Sequence, residues 1–274
     1  MKRIGPMACS LGIMAAVAMS AHGRQDVADV ESTQRSAGGD ERQTYFLINP
    51  APDDPAPEKG CGVLFVLPGG SGSAEVNPFV RRIAKYAVPT GFLVVQLVAP
   101  KWTDDPAIIW PTERLPVAEQ QFTTEEFIAA VLDEVRATHK VDEDRLLLMG
   151  WSSSGPVVYN MLCQEQTPFD GFYICMSVFK PQQMPPIANA AGRRVVIEHS
   201  PDDRTCPFHL AEQARDDLTA AGAKVHFETY AGGHGWRGAM YPRMKAAFAF
   251  LLDPAGQADP EPKQPAEPSP DPAR

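Results

Sequence analysis

The sequence is short of positive charge. Its 274 residues include 25 lysines and arginines against 34 aspartates and glutamates, which gives a net charge of −9. No stretch gathers basic residues into a stripe, and nucleic-acid binding depends on clustered Lys and Arg side chains that neutralise phosphates. The composition therefore argues against a nucleic acid as partner.

Apolar runs long enough to span a bilayer are also missing. The nearest candidate is a short run over residues 11–19, which follows Lys2 and Arg3 and precedes small residues. This pattern predicts a signal peptide over residues 1–21, cleaved near residues 20–23. We therefore expect an exported protein, periplasmic or extracellular, with no stable membrane span after cleavage. An uncleaved N-terminal anchor is the alternative.

Cysteine is scarce, and its spacing matches no zinc-binding pattern. Four cysteines follow the predicted signal peptide: Cys61, Cys163, Cys175 and Cys206. In an oxidising compartment they would form one or two disulfides, and the sequence does not decide which cysteines pair. A small buried apolar side chain is the other interpretation, which suits Cys175 within its apolar run. We expect no metal and no cofactor.

Two segments lack the apolar residues that a core needs. Residues 22–42 are polar, which predicts a flexible linker, and residues 254–274 are rich in proline, which predicts a disordered tail. The folded domain is then expected over residues 43–253. No internal repeat is found.

Within that domain, short apolar runs alternate with helical patterns. The predicted strands are 44–48, 63–67, 92–98, 145–149, 172–178, 194–198 and 225–230. The predicted helices are 76–87, 123–139, 155–165, 207–221 and 239–252. This alternation predicts an α/β fold with a mostly parallel central sheet and helices on both faces. Ligands of such sheets bind at the carboxyl ends of the strands.

Four loops at predicted strand ends carry residues of catalytic type. They are "PGGSGS" at 68–73, "GWSSSGP" at 150–156, "HSPDDRTCP" at 199–207 and "AGGHGW" at 231–236. In chain order they offer a glycine-rich turn, a serine, an acid and a histidine.

The serine loop offers three hydroxyls. A nucleophile on a sharp strand-to-helix turn needs small residues two positions before and after it. Ser152 satisfies this with Gly150 before it and Ser154 after it, whereas Ser153 would have the bulky Trp151 before it. Ser152 is the preferred nucleophile, and Ser153 or a non-catalytic turn is the alternative. Because Ser154 stands where glycine is usual, Ser154→Gly is expected to keep activity.

A serine nucleophile needs a base, and the base needs an acid that orients it. His234 lies between two glycines after the last predicted strand, which makes it the best base. Asp202 and Asp203 both follow an earlier strand, and the spacing leaves the choice between them open. The developing oxyanion would be held by amides of Ser153 and of Gly70 or Ser71. The glycine-rich loop lacks the P-loop and dinucleotide signatures, so phosphate binding is discounted.

The four motifs together resemble the α/β-hydrolase superfamily, in the order Ser, Asp, His. They resemble in particular its small secreted esterases, the phospholipase/carboxylesterase, dienelactone-hydrolase and polyhydroxybutyrate-depolymerase-like groups. The resemblance covers about residues 62–252 and implies Asp203, four residues past His199, as the acid. Ser154 and Ser200 depart from it by replacing glycines. The short connection at 179–193 leaves no room for a separate cap domain.

The resulting expectation is a secreted serine hydrolase that cleaves carboxylic esters or thioesters of small-molecule or polymer-derived substrates. Trp102, Trp110 and Trp236 are candidates for the substrate pocket. The alternatives are a serine peptidase on the same fold, since the triad does not distinguish ester from amide, and a non-catalytic binding protein that kept the fold. A metal hydrolase using His199, Asp203 and His234 has no supporting ligand spacing.

Overall fold

A computed structural model describes residues 26–49, 57–104 and 107–253. Its strands are β1 (Ser32–Ser36), β2 (Thr44–Ile48), β3 (Cys61–Leu67), β4 (Phe92–Leu97), β5 (Val141–Trp151), β6 (Gly171–Cys175), β7 (Arg194–His199) and β8 (Lys224–Thr229). The helices are α1 (Asn77–Tyr86), α2 (Thr124–Thr138), α3 (Gly155–Leu162), α4 (Phe208–Ala220) and α5 (Met240–Leu252). The predicted signal peptide and proline-rich tail lie outside the described residues.

All eight strands form one sheet in the order β1-β2-β4-β3-β5-β6-β7-β8. The pairs β1–β2 and β2–β4 are antiparallel, and the remaining pairs are parallel. The continuous apolar runs of β3, β4 and β6 are buried on both faces, as parallel strands covered by helices are. The prediction of a mostly parallel α/β sheet is confirmed.

Helices cover both faces of the sheet, as predicted, and each face has its own apolar core. Alternate residues of β3 point to opposite sides, because successive strand side chains do. Val63, Phe65 and Leu67 pack with the buried residues of α2, α3 and α4. Leu64 and Val66 pack with those of α1 and α5. The sheet is thereby fixed between two helical layers, and the loops at its carboxyl edge remain accessible.

The N-terminal part of the described chain corrects the expectation of a flexible linker over 22–42. Ser32–Ser36 forms β1, paired along its whole length with β2. Val27 is fully buried, and Arg81 of α1 donates to the carbonyl oxygens of Val27 and Val30. An edge strand exposes one face and one edge to water, so its sequence can stay polar. The polar composition of this segment therefore did not reveal β1.

The end of β6 also differs from the prediction of 172–178. The strand stops at Cys175 because Met176 adopts a positive φ of 39°. Its amide still donates to the carbonyl of Glu198 at 2.8 Å. The turn carries Ser177 and Val178 out of the sheet and toward the carboxyl edge, where they contribute to the site described below.

No separate cap domain is found among the described residues. The connection between β6 and β7 contains only two short 3₁₀ turns, Pro181–Gln183 and Ile187–Ala190. Within the described ranges, no helix combines the length and the apolar character that crossing a membrane requires.

The order of the N-terminal segment can be tested through Val27. We expect Val27→Ala to lower the free energy of unfolding by about 1–2 kcal/mol, because it removes buried methyl groups. Gln34→Ala, at an exposed position of β1, should change it by less than about 0.5 kcal/mol. Urea unfolding followed by circular dichroism measures both. Equal, negligible effects would show that this segment adds nothing to the fold.

Candidate active site

Three loops at the carboxyl edge of the sheet bring together a serine, a histidine and an aspartate. Ser152 follows β5, Asp203 follows β7 and His234 follows β8. Nε2 of His234 lies 3.1 Å from Oγ of Ser152, and Nδ1 of His234 lies 2.8 Å from Oδ2 of Asp203. These distances allow a relay in which the ring takes a proton from the hydroxyl while the carboxylate orients it.

Ser152 occupies a strained backbone conformation, with φ at 55°. Non-glycine residues rarely adopt this region, and such residues concentrate at functional sites where the surroundings hold them. A Cβ at Gly150 would lie 2.7 Å from Val158, and one at Gly155 would lie 2.0 Å from Oγ of Ser177. The turn is therefore closed so tightly that both flanking glycines are required. Ser177 also donates to the carbonyl of Ser152 at 2.7 Å.

Ser154 has a structural role that explains why serine stands in place of glycine. Its side chain is fully buried, and its Oγ accepts from the amide of Trp151 at 2.9 Å. The same hydroxyl donates to the carbonyl of Leu67, at the end of β3, at 2.6 Å. Ser154 thus connects the turn after β5 to the strand that leads into the glycine-rich loop. This contact changes the expectation that Ser154→Gly keeps activity.

The glycine-rich loop lies directly against the serine turn. Oγ of Ser153 donates to the carbonyl of Gly70 at 2.8 Å. A Cβ at Gly69 would lie 2.5 Å from the ring and from the carbonyl oxygen of Trp151, so only glycine fits beneath that side chain. Gly70 has a φ of 64° and faces open space, and Ser71 beside it is exposed. The structure therefore places Gly70 and Ser153, two of the three predicted oxyanion residues, in contact.

The geometry distinguishes the two candidate acids. The side chain of Asp203 is completely buried and contacts His234, whereas Asp202 is exposed and lies 3.4 Å from the amide of Gly232. Oδ1 of Asp203 accepts from the amides of Thr205 and Cys206, each at 2.8 Å. All strong contacts of a triad acid thus fall on Asp203.

Electrostatics keep Asp203 ionised. Burial disfavours its charge, but hydrogen bonds from the Cys206 amide, His234 and the Thr205 amide outweigh burial. Together they hold the pKa of the Asp203 carboxyl below its ordinary value. An ionised carboxylate is the form that accepts from the ring N–H and stabilises the imidazolium.

A second histidine, His199, supports the same acid. Its Nε2 lies 2.9 Å from the carbonyl oxygen of Cys206 and 3.3 Å from Oδ2 of Asp203. Burial lowers the pKa of the His199 imidazole, which keeps the ring neutral. Because the Cys206 carbonyl is only an acceptor, Nε2 of His199 carries the hydrogen. His199 therefore helps to fix the turn that presents Asp203.

Ser200, the second departure from glycine, connects the acid loop to the histidine loop. It is fully buried, and its Oγ accepts from the amides of Gly233 at 3.0 Å and Asp202 at 3.2 Å. The position of His234 is thus tied to the loop that carries its acid. Sequence reasoning gave no role to Ser200 or Ser177, since a single serine in a loop carries no distinguishing signal.

A largely apolar cavity of about 310 Å³ opens beside Ser152. Trp110 lines it and donates from Nε1 to the carbonyl of Pro68 at 3.0 Å. The predicted pocket roles of Trp102 and Trp236 are corrected. Trp102 stacks edge-on against Phe122, and Trp236 packs between Phe79 and Trp151 on the other face of the sheet.

One group of metal-ligating side chains occurs here within the described part of the chain. Asp203, Cys206 and His234 have potential ligand atoms within 4.8 Å of one another. Both oxygens of Asp203 already accept hydrogen bonds from amides or from His234, and burial raises the pKa of the Cys206 thiol to about 12. We therefore assign Asp203 and His234 to the serine–histidine–aspartate arrangement.

Two of the other described cysteines are small buried side chains, whereas Cys61 is only partly buried. Cys163 and Cys175 are fully buried, and both lie in the apolar layers around the sheet. Burial raises the pKa of the Cys163 thiol to about 11. The alternative interpretation of Cys175 as a buried apolar residue agrees with this position.

Comparison with known proteins supports the same fold. No protein-family model matches the chain. It is 27% identical over 150 residues to NocK of Nocardia uniformis subsp. tsuyamanensis, whose name assigns it provisionally to the esterases. That match covers 54% of this chain but only 42% of NocK.

Solved structures match over most of the chain. The Bacillus cereus carboxylesterase has a TM-score of 0.56 at 17% identity, covering 83% of this chain and 97% of its own. Thermogutta terrifontis esterase 2 phosphorylated by paraoxon has a TM-score of 0.59 at 15% identity. The match covers 85% of this chain and 96% of the esterase. The strand order, the turn at Ser152 and these likenesses show that the chain has the α/β-hydrolase fold.

Ser154 provides a test of how the turn is held. We expect Ser154→Gly to lower kcat about tenfold with little change in KM, because the loop loses two hydrogen bonds and gains backbone freedom. Tenfold corresponds to about 1.4 kcal/mol of barrier. Ser154→Ala keeps the Cβ and removes only the hydroxyl, so a similar loss identifies the hydroxyl as the cause. Full activity of both variants on p-nitrophenyl acetate would contradict this role.

Proposed function

We propose that the protein is a serine hydrolase that cleaves carboxylic esters or thioesters through a covalent acyl-enzyme. The observation that carries this proposal is the 3.1 Å approach of His234 Nε2 to Oγ of Ser152. Ser152 projects from a strained turn after a central strand, which is how a nucleophile of this fold is presented.

The proposed reaction uses each group in turn. His234 removes the proton of Ser152 as its Oγ attacks the ester carbonyl, and Asp203 stabilises the resulting imidazolium. His234 then donates that proton to the leaving alcohol or thiol. A water molecule, activated by His234, hydrolyses the acyl-enzyme and frees Ser152.

The oxyanion that forms at the carbonyl needs donors fixed before the reaction. We assign this role to the amide of Ser153, in the short 3₁₀ turn Ser152–Ser154 before α3, and to an amide of Gly70 or Ser71. The hydrogen bond from Ser153 Oγ to the Gly70 carbonyl holds the two donor segments against each other. No cofactor or metal enters these steps.

Two comparisons support an esterase. NocK bears an esterase name, and T. terrifontis esterase 2 carries a phosphoryl group from paraoxon. The apolar cavity beside Ser152 suits the hydrocarbon part of a small-molecule or polymer-derived ester. A peptide bond reacts through the same groups, so peptide substrates belong in the first activity panel.

The nucleophile is identified by covalent labelling. We expect a fluorophosphonate probe or paraoxon to label the wild-type protein, because Ser152 is activated by His234. Labelling should be lost in Ser152→Ala and retained in Ser153→Ala. Intact-protein mass spectrometry measures the added mass.

Comparing the two serine-to-alanine variants shows which serine, if either, is the nucleophile. Labelling that survives Ser152→Ala and is lost in Ser153→Ala would move the nucleophile to Ser153. A wild-type protein that neither takes up the probe nor hydrolyses p-nitrophenyl acetate would indicate a binding protein that kept the fold.

We further propose that the protein is exported, on the strength of the charged and then apolar pattern of residues 1–21. Expression of the full chain in a bacterial host should yield a mature protein that begins near residues 21–24 outside the cytoplasm. N-terminal sequencing checks this. A protein that keeps residues 1–21 and stays with the membrane would favour the uncleaved anchor.

A further inference from the structure

The cavity beside Ser152 follows α3. Its floor is one face of that helix, where Pro156, Val157 and Asn160 line it. One wall is the loop at 107–115 and the other includes residues 178–184. Most of this lining is apolar, with Ile108, Ile109 and Met184 among its members.

A second, polar recess of about 500 Å³ adjoins this cavity. Asn160 lines both, and the same two loops form the walls of both. In the first loop Thr112 and Leu115 line the cavity, while Glu113 and Arg114, between them, line the recess. The two spaces therefore lie next to each other along α3, with Asn160 as their shared wall.

Asn160 stands at the junction with an unused donor. The residue is only 3% exposed, and its Oδ1 accepts a long hydrogen bond of 3.4 Å from Gln164. Its Nδ2 has no acceptor among the described residues. This nitrogen is not sealed away from the adjoining spaces, so its N–H is available to an acceptor atom of a ligand that lies there.

The side chains of the recess favour a neutral, hydroxyl-bearing group. Its lining combines the acids Glu113, Glu125 and Glu165, the cation Arg114, and the amides Gln164, Gln166 and Asn189. Three carboxylates against one cation disfavour an anion. Hydroxyl groups both donate and accept, so they can pair with carboxylates and amides alike.

We propose, on the basis of the esterase function above, that the substrate has two parts on one side of the scissile bond. An apolar segment lies next to the carbonyl and is followed by a neutral hydroxyl-bearing group whose first oxygen accepts from Nδ2 of Asn160. The five helical steps from Gly155 to Asn160 rise about 7.5 Å along the helix, roughly the reach of a six-carbon chain. Asn160 is then a specificity-determining residue.

The test compares esters of equal length that differ at the far end. The acyl series is ethyl hexanoate, ethyl 6-hydroxyhexanoate and monoethyl adipate. The alcohol series is hexyl acetate, 6-hydroxyhexyl acetate and 6-acetoxyhexanoate. We expect the hydroxyl-terminated ester to exceed the methyl-terminated one in kcat/KM by at least about fivefold in one series, the worth of one net hydrogen bond. Acid release at constant pH measures the rates.

The variant Asn160→Leu keeps a similar volume and removes the donor, so it should reduce that ratio to about one or below. Gln213→Leu, on the exposed face of α4, is the matched control and should keep the wild-type ratio. Paraoxon labelling reports whether Asn160→Leu retains a formed site. The wild-type ratio decides the proposal even if that variant does not fold.

Several results would overturn the inference. The methyl-terminated ester could be preferred in both series, or Asn160→Leu could keep the wild-type ratio. A preference for the carboxylate ester would instead assign recognition to Lys180, which also lines the apolar cavity. If none of the esters reacts and Ser152 takes no label, the proposed function itself fails. Hydrolysis without selectivity overturns only the two-part substrate.

Discussion

The positive φ of Ser152 is the constraint on which the rest of the site depends. A serine at 55° is unfavourable on its own, so the surroundings must hold it there. Ser177 fixes its carbonyl, and Gly150 and Gly155 leave no room for any side chain. This strained conformation makes Oγ of Ser152 project from the edge of the sheet toward His234.

The two serines that stand in place of glycines both connect separate segments of the site by hydrogen bonds. Ser154 joins the turn at Ser152 to the end of β3, and Ser200 joins the loop of Asp203 to the loop of His234. Each of these serines is fully buried, and its hydroxyl bonds a backbone atom of its own turn and one of a distant segment. Catalytic groups on separate loops must hold their geometry closely, because small displacements cost large factors in rate. The hydrogen bonds of these two hydroxyls help to hold the loops in that geometry.

The buried acid is stabilised by the fold and not by a positive side chain. Asp203 has no Lys or Arg partner among the described residues and relies on two amides and His234, with His199 alongside. Behind it, Glu198 is buried with Arg243 and Tyr173, which anchors the end of β7. The loop therefore presents a charged carboxylate in a protected position.

The amino-acid pattern alone was sufficient for the α/β-hydrolase architecture, and it singled out Ser152, Asp203 and His234, which the fold brings into contact. Their signals are local, since buried strands read as apolar runs and each residue follows one directly. It failed for β1, whose polar sequence resembles a linker, and for Trp102 and Trp236, which pack away from the cavity. Contacts between residues far apart in the chain decide such matters. Ser154 contacts Leu67, and Ser200 contacts Gly233, only because β3, β5, β7 and β8 lie in one sheet. No local sequence pattern predicts these contacts.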